Sequence, residues 1–81
     1  MAEHHVLSPL PGIFYRRPSP EAPPYKNEGD LVSEGDVIGL VEVMKQFNEV
    51  HADAGGKVVS FLVENEAPVE PEQPLVLIET G

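Results

Sequence analysis

Cysteine is absent from these 81 residues. That absence removes disulfide staples, thiolate nucleophiles and cysteine-based metal sites together. It fits a reducing compartment, so a cytoplasmic location is expected. Positive charge is scarce: five Lys and Arg stand against 14 Asp and Glu, for a formal net charge of −9. Such a chain offers no basic face to the phosphates of nucleic acid, so nucleic-acid partners are excluded. No Lys or Arg follows Lys57, whereas Glu64, Glu66, Glu70, Glu72 and Glu79 do. No apolar run nears the roughly 20 residues of a membrane span. Met1-Ala2-Glu3-His4-His5 lacks the charged start and apolar core of a signal peptide, so no membrane partner is expected. Nor does any segment keep a 3.6-residue apolar period long enough for a helix, and almost no helix is expected.

What the chain has instead is punctuation, with nine prolines and seven glycines between short β-prone runs. Strands are expected from Val6 to Leu10 (beginning at His5), Gly12 to Tyr15, Leu31 to Val32, Val37 to Val43, Gln46 to Val50, Lys57 to Val63 and Leu75 to Ile78. Tyr25 is expected to reopen extended structure. Glu28-Gly29-Asp30, Glu34-Gly35-Asp36 and Ala52-Asp53-Ala54-Gly55-Gly56 read as turns. Residues 1–81 make one small domain, and short strands parted by Gly and Pro turns mean an all-β barrel or sandwich. Pro18, Pro20, Pro23 and Pro24 crowd residues 16–24. Proline fixes φ and removes a ladder donor, so this stretch is a stiffened loop, neither helix nor central strand.

The two halves of the chain match each other. A shift of 37 residues carries Val32 onto Val69, Ile38 onto Leu75, Leu40 onto Leu77, Val41 onto Ile78 and Glu42 onto Glu79. A shift of 44 carries Val6 onto Val50, Gly12 onto Gly56 and Phe14 onto Val58. Matches in the same order in both halves point to quasi-twofold symmetry. The two shifts differ by seven residues, which places an insertion in the first half between Gly12 and Gly29, where the proline-rich loop lies.

The centre of the chain is a join. Two β-prone runs meet at Met44-Lys45 with no Gly, Asn, Asp or Pro between them. A two-residue hairpin ordinarily wants such residues, because its central positions need φ > 0. Met-Lys at that tip implies backbone strain, which often accompanies function. It also holds one ammonium group clear of the sheet, as an attachment lysine requires. Met44 has two readings: a hydrophobe packed under the turn, or a soft apolar contact for a cofactor or a modifying enzyme.

Glu42-Val43-Met44-Lys45 followed by Phe47-Asn48-Glu49-Val50 resembles the biotin-attachment motif of biotin carboxyl carrier domains, in which Met precedes the modified lysine. The related lipoyl domains usually have Asp before the lysine and Ala after it. The resemblance runs from about Val6 to Glu79. It implies a flattened barrel of two four-stranded antiparallel sheets related by quasi-twofold symmetry, the biotinyl/lipoyl fold. Gly12-Ile13-Phe14-Tyr15-Arg16 and then Pro18-Ser19-Pro20-Glu21-Ala22 is similar to the protruding thumb of carriers from bacterial acetyl-CoA carboxylase. The resemblance therefore implies covalent biotin on Lys45, beside Met44, and a thumb (Arg17, Pro18, Ser19, Pro20, Glu21 and Ala22) against the biotin head. It ties Glu42 and Glu70 to recognition by biotin protein ligase. The implied function is that of a non-catalytic carrier, moving a carboxyl group between a biotin carboxylase and a carboxyltransferase subunit. Gln46 stands where Met or Leu is usual, and Glu66 where a turn Gly is frequent, which leaves that turn's geometry open. The Ala/Pro-rich region that tethers many such carriers is not among these residues.

Other chemistries find little support. Gly29 to Gly35 and Gly55-Gly56-Lys57 lack the spacing and following helix of a phosphate loop. Ser8, Ser19, Ser33 and Ser60 have no nucleophile context. His4 and His5 would point to opposite faces of a strand, so no metal site is expected. Glu42 and Glu49 are expected to be solvated carboxylates. The alternatives left open are a carrier for another carboxylase, acting on a different acyl-CoA, a urea-like amide or a small acid, and an unmodified β-barrel adapter.

Overall fold

The computed structural model describes residues 2–80. Eight strands form: β1 (Ala2–Leu7), β2 (Gly12–Tyr15), β3 (Leu31–Val32), β4 (Val37–Val43), β5 (Gln46–His51), β6 (Gly56–Phe61), β7 (Ala67–Val69) and β8 (Pro74–Thr80). They pair into two four-stranded sheets, β1-β8-β6-β3 and β5-β4-β2-β7, with every ladder antiparallel. The described residues contain no helix, and so none long and apolar enough to cross a membrane.

The internal repeat is physical. Shifting by 44 lays β1 on β5 and starts β2 on β6; shifting by 37 lays β3 on the last two residues of β7, and β4 on β8. Under this exchange the order of one sheet becomes the order of the other. Irregularities repeat as well. The register slips between Val37 and Gly39 in β4, and the β1–β8 ladder slips at the matching place, where Val6 faces Val76 and Leu7 faces Pro74. Gly12 and Gly56 each press their α-carbon against a neighbouring strand's carbonyl, that of Glu42 and of Glu79 respectively, leaving no room for a Cβ.

Period-2 alternation turns one face of each sheet inward. Val6, Phe14, Val32, Ile38, Val41, Val50, Val58, Val69, Leu75, Val76 and Ile78 are buried between the sheets, with Ala52 closing the layer. Each large apolar side chain so buried contributes roughly 1.5–3 kcal/mol. The buried Ser8 Oγ–H donates to the Leu10 carbonyl at 2.7 Å, so its burial carries no unmet donor.

Three expectations need correction. The first strand runs from Ala2 to Leu7 rather than on to Leu10, because Pro9 and Pro11 lack the N–H groups that a ladder needs. Tyr25 starts no strand; its N–H donates to the Arg16 carbonyl at 2.9 Å and closes the neck of the proline loop. A strand that was not expected, β7, forms around Pro68 at the edge of its sheet, where a missing donor is tolerated.

Candidate functional site

Val43 pairs with Gln46, so only Met44 and Lys45 turn the chain between β4 and β5. Both lie in the left-handed region, at φ of 51° and 68°. That is the twist a two-residue hairpin needs, adopted here by two residues that disfavour it at roughly 1 kcal/mol each. The sheet enforces it: β4 is paired along its length with β5 on one side and with β2 on the other. Met44 is 92% exposed, which excludes packing under the turn, and Lys45 is exposed beside it.

Below the tip, the outward face of β2, β4 and β5 carries Tyr15, Glu42 and Phe47. Tyr15 Oη–H donates to Glu42 Oε1 at 2.9 Å, and the Tyr15 ring meets Phe47 edge-on with centroids 5.8 Å apart. The hydrogen bond to Glu42, then burial, then the negative charges of Glu42 and Glu66, raise the phenol's pKa and keep it a donor. Glu42 is therefore half-buried and anchored, not the freely solvated carboxylate its sequence position suggested. Glu49 is exposed and sits 3.3 Å from His51 Nε2. Leu40 is buried but stands outside the core cluster, on the same outward face, with Tyr15 and Glu49 opposite it in register.

The proline-rich loop is a closed protrusion. Its neck is the Tyr25–Arg16 hydrogen bond, and its tip is a turn in which Ala22 N–H donates to Ser19 O at 3.1 Å. At the base, Arg16 N–H donates to Asn65 Oδ1 at 2.8 Å, and the Arg16 guanidinium carbon lies 3.9 Å from the Phe61 ring centre. Between this thumb and the sheet opens a cleft of about 280 Å³. Tyr15 and Phe47 line it from the sheet, Arg17, Pro18, Ser19 and Pro20 from the thumb, and Asn65 with Glu66 from the β6–β7 turn. Glu21 and Ala22, expected in this group, do not line it.

Glu70 follows β7, where Val69 pairs with Gly12. Continuing that register places Glu70 at the end of the sheet where Met44 and Lys45 turn, with β2 between them. The fold thus brings Glu42, Glu70 and the tip to one end of one sheet. Tyr15, Phe47, Asn65 and Glu66 were not expected at the site from sequence. The first two were within reach, because Tyr15 alternates with buried Phe14 and must face outward. Asn65 and Glu66 belong to the cleft only through a long-range contact. Among the described residues no group of three or more His, Asp or Glu is arranged to hold a metal ion.

Comparison with known proteins agrees with this geometry. Residues 4–78 match the biotin/lipoyl family model, described as "Biotin-requiring enzyme". The chain is 42% identical over 79 residues to the biotin carboxyl carrier protein of acetyl-CoA carboxylase from Haemophilus influenzae, covering 98% of this chain and 51% of that protein. It is 44% identical over 73 residues to the protein of the same name from Pseudomonas aeruginosa (90% and 47%), and 42% identical over 74 to that of Nostoc (91% and 41%). The chain thus spans about half the length of these curated relatives, or less. Among solved structures, the urea carboxylase of Kluyveromyces lactis superimposes with a TM-score of 0.78 at 26% identity, covering 98% of this chain and 6% of that one. On sequence and on fold, the chain belongs to the biotin/lipoyl family of biotin-requiring enzymes.

Proposed function

We propose that the chain is the biotin-bearing part of a carboxyl carrier for acetyl-CoA carboxylase, with biotin joined to Lys45 Nζ through an amide. The observation that carries this reading is the two-residue tip, where Met44 and Lys45 stand exposed at positive φ between two strands paired in register beneath them. The relatives named above supply the carboxylase. The residues present suit the group: a cleft of bicyclic-ring dimensions opens beside the hairpin, with aromatic surface from Tyr15 and Phe47 and a buried, unpartnered Arg17 Nε–H. Biotin, when bound, supplies a ureido nitrogen that accepts and releases a carboxyl group.

The chain's own part is presentation. Acylation removes the Lys45 charge and leaves a long arm whose origin the hairpin fixes, which raises its effective concentration at two partner sites. Met44, Glu42 and Glu70 share one end of the sheet and suit recognition of the folded hairpin by biotin protein ligase. Arg17, Pro18, Ser19 and Pro20 form the thumb side of a resting place for the head. The chain itself catalyses nothing; a biotin carboxylase and a carboxyltransferase are its partners, in the cytoplasm. A second reading, a carrier for a urea-type carboxylase, is favoured by the superposition on urea carboxylase.

Co-expression with a biotin ligase tests the attachment. The intact mass should rise by one biotin, and Lys45→Arg should abolish the rise. A Lys45→Arg chain that still bound streptavidin would remove Lys45 from the reading. Reconstitution with a biotin carboxylase and each type of carboxyltransferase, offered acetyl-CoA or urea, separates the two acceptors.

A further inference from the structure

Among the described residues, Arg17 is the only Lys or Arg that lines the cleft. Arg16, whose buried Nε likewise lacks a partner, does not line it; its guanidinium lies over Phe61, with Nη2 3.4 Å from the Lys26 carbonyl. Lys26 Nζ pairs with Asp36 at 3.5 Å, Lys57 stands opposite Glu79 in the β6–β8 ladder, and Lys45 loses its charge on acylation. Arg17 Nε is buried and has no hydrogen-bond partner, and among the described residues no carboxylate oxygen lies within 4.0 Å of its guanidinium. The neighbouring donors, Tyr15 Oη and Asn65 Nδ2, are already directed at Glu42 and Glu66. The cleft therefore contains one cationic donor in want of an acceptor.

We propose that Arg17 reads the charge of the arm: its guanidinium binds the carboxylate that biotin bears once loaded, so the cleft holds the loaded arm in preference to the empty one. This rests on the reading of Lys45 as the attachment site. The unloaded ureido ring offers a guanidinium only a neutral carbonyl oxygen, whereas the loaded ring presents a carboxylate that matches the guanidinium fork and binds it with charge assistance. The formal charge of −9 sharpens the need. A chain so acidic repels an anionic arm, and a local cation is required to keep it docked. Glu66 also lines the cleft and opposes this, but it is exposed and its field is screened by solvent, while Arg17 Nε is buried. No bond is made or broken in the cleft. What docking slows is loss of the cargo, in which the C–N bond breaks, CO₂ leaves and the ureido nitrogen takes a proton from water.

The test uses the whole chain, ¹⁵N-labelled and biotinylated, with attachment at Lys45 verified by intact mass. It is then loaded by a biotin carboxylase with ATP and ¹³C-bicarbonate. The Arg17 Nε–H resonance should move and its exchange with water should slow on loading, and it should stay in place on a biotinylated chain that is not loaded. A neutral methoxycarbonyl-biotin arm should leave it in place as well. Arg17→Gln should shorten the half-life of the loaded arm by about tenfold, the loss of one charge-assisted contact. Arg17→Lys should restore part of it, and Glu66→Gln should lengthen it. Equal movement of Nε–H with the neutral arm, or an unchanged half-life in Arg17→Gln, would overturn the assignment. A chain that takes no biotin at Lys45 overturns the attachment reading and this one with it, and shows itself at the mass measurement before any loading.

Discussion

Glu66 and Glu72 hold φ of 68° and 66°, and the residues 37 positions earlier are Gly29 and Gly35, at 94° and 96°. The same two turns are thus built twice, once with glycine and once with glutamate. The hydrogen bonds correspond: Gly29 N–H donates to Val58 O and Glu66 N–H to Phe14 O, while Gly35 N–H donates to Ala52 O and Glu72 N–H to Ser8 O. The backbone bonds impose the left-handed conformation, and the Cβ of each glutamate opposes it at roughly 1 kcal/mol. Glycine also adds unfolded-state entropy, which offsets part of the relief. Glu66→Gly and Glu72→Gly should each raise stability by about 0.5 kcal/mol, read as a higher urea midpoint at unchanged m. Glu66→Ala, which removes the charge but keeps the Cβ, should not. A second residue-scale prediction concerns acid. The Ser33 N–H bond to Asp36 and the nearby Lys26 lower the Asp36 pKa below its ordinary 3.8. A depressed carboxylate stabilises the fold above its unfolded pKa and loses that contribution as pH falls through the folded one. Asp36→Asn should therefore flatten the fall in stability below about pH 4 and lower stability at pH 7. That Glu66 would keep a glycine's conformation was not legible in the sequence, because the choice lies in its hydrogen bond to Phe14, 52 residues away.

At the scale of elements, the proposed attachment at the hairpin sets local stability against modification. An Asn at the first tip position tolerates positive φ, so Met44→Asn should stabilise the chain by about 0.5–1 kcal/mol. The same change removes the exposed Met44 thioether and, on the proposed reading of Lys45, should slow biotinylation. Parallel urea titration and timed intact-mass measurements would show the two effects with opposite sign; equal biotinylation rates would reduce Met44 to a spacer. The hairpin and its lysine were legible because two strong β runs leave only two residues between them. The thumb was legible from the mismatch of two repeat shifts. By contrast, β7 was hidden: it is three residues long, contains Pro68 and is held by the Gly12 to Phe14 segment across the sheet. The cleft was half legible. Its thumb side follows from proline chemistry, but the Asn65 contact that seats the thumb joins residues 49 positions apart.

The whole molecule invites a rearrangement that its symmetry makes specific. Thr80 pairs with Ala2 as Val43 pairs with Gln46, so the ends of β8 and β1 meet as the ends of β4 and β5 do. Residues 81 and 1 are two in number, the length of the Met44-Lys45 turn. A permuted chain running 55–81 and then 1–54, joined through Gly81 and Met1, should therefore close a second two-residue hairpin. It opens the chain in the turn after Ala52 and leaves both sheets intact. Its unfolding free energy, extrapolated from urea to water, should match the parent's to within the usual error of extrapolation, about 10–15%. The permutant also separates what modification needs from what docking needs. With Gly81→Met and Met1→Lys, the new tip lies three residues after Glu79, as Lys45 lies three after Glu42. The aromatic pair has no counterpart there, since Val59 and Glu3 stand at the positions that match Tyr15 and Phe47, and there is no thumb. If a ligase reads a hairpin of this shape with its upstream glutamate, the new lysine should gain one biotin in a Lys45→Arg background, more slowly than Lys45 does in the parent. Its biotin should then tumble freely by NMR relaxation, because no cleft adjoins it. A permutant that folds, shown by an unchanged amide spectrum for β2 and β6, yet gains no mass would mean that ligase recognition depends on Tyr15, Phe47 or the thumb, and that the two-residue tip alone is not enough.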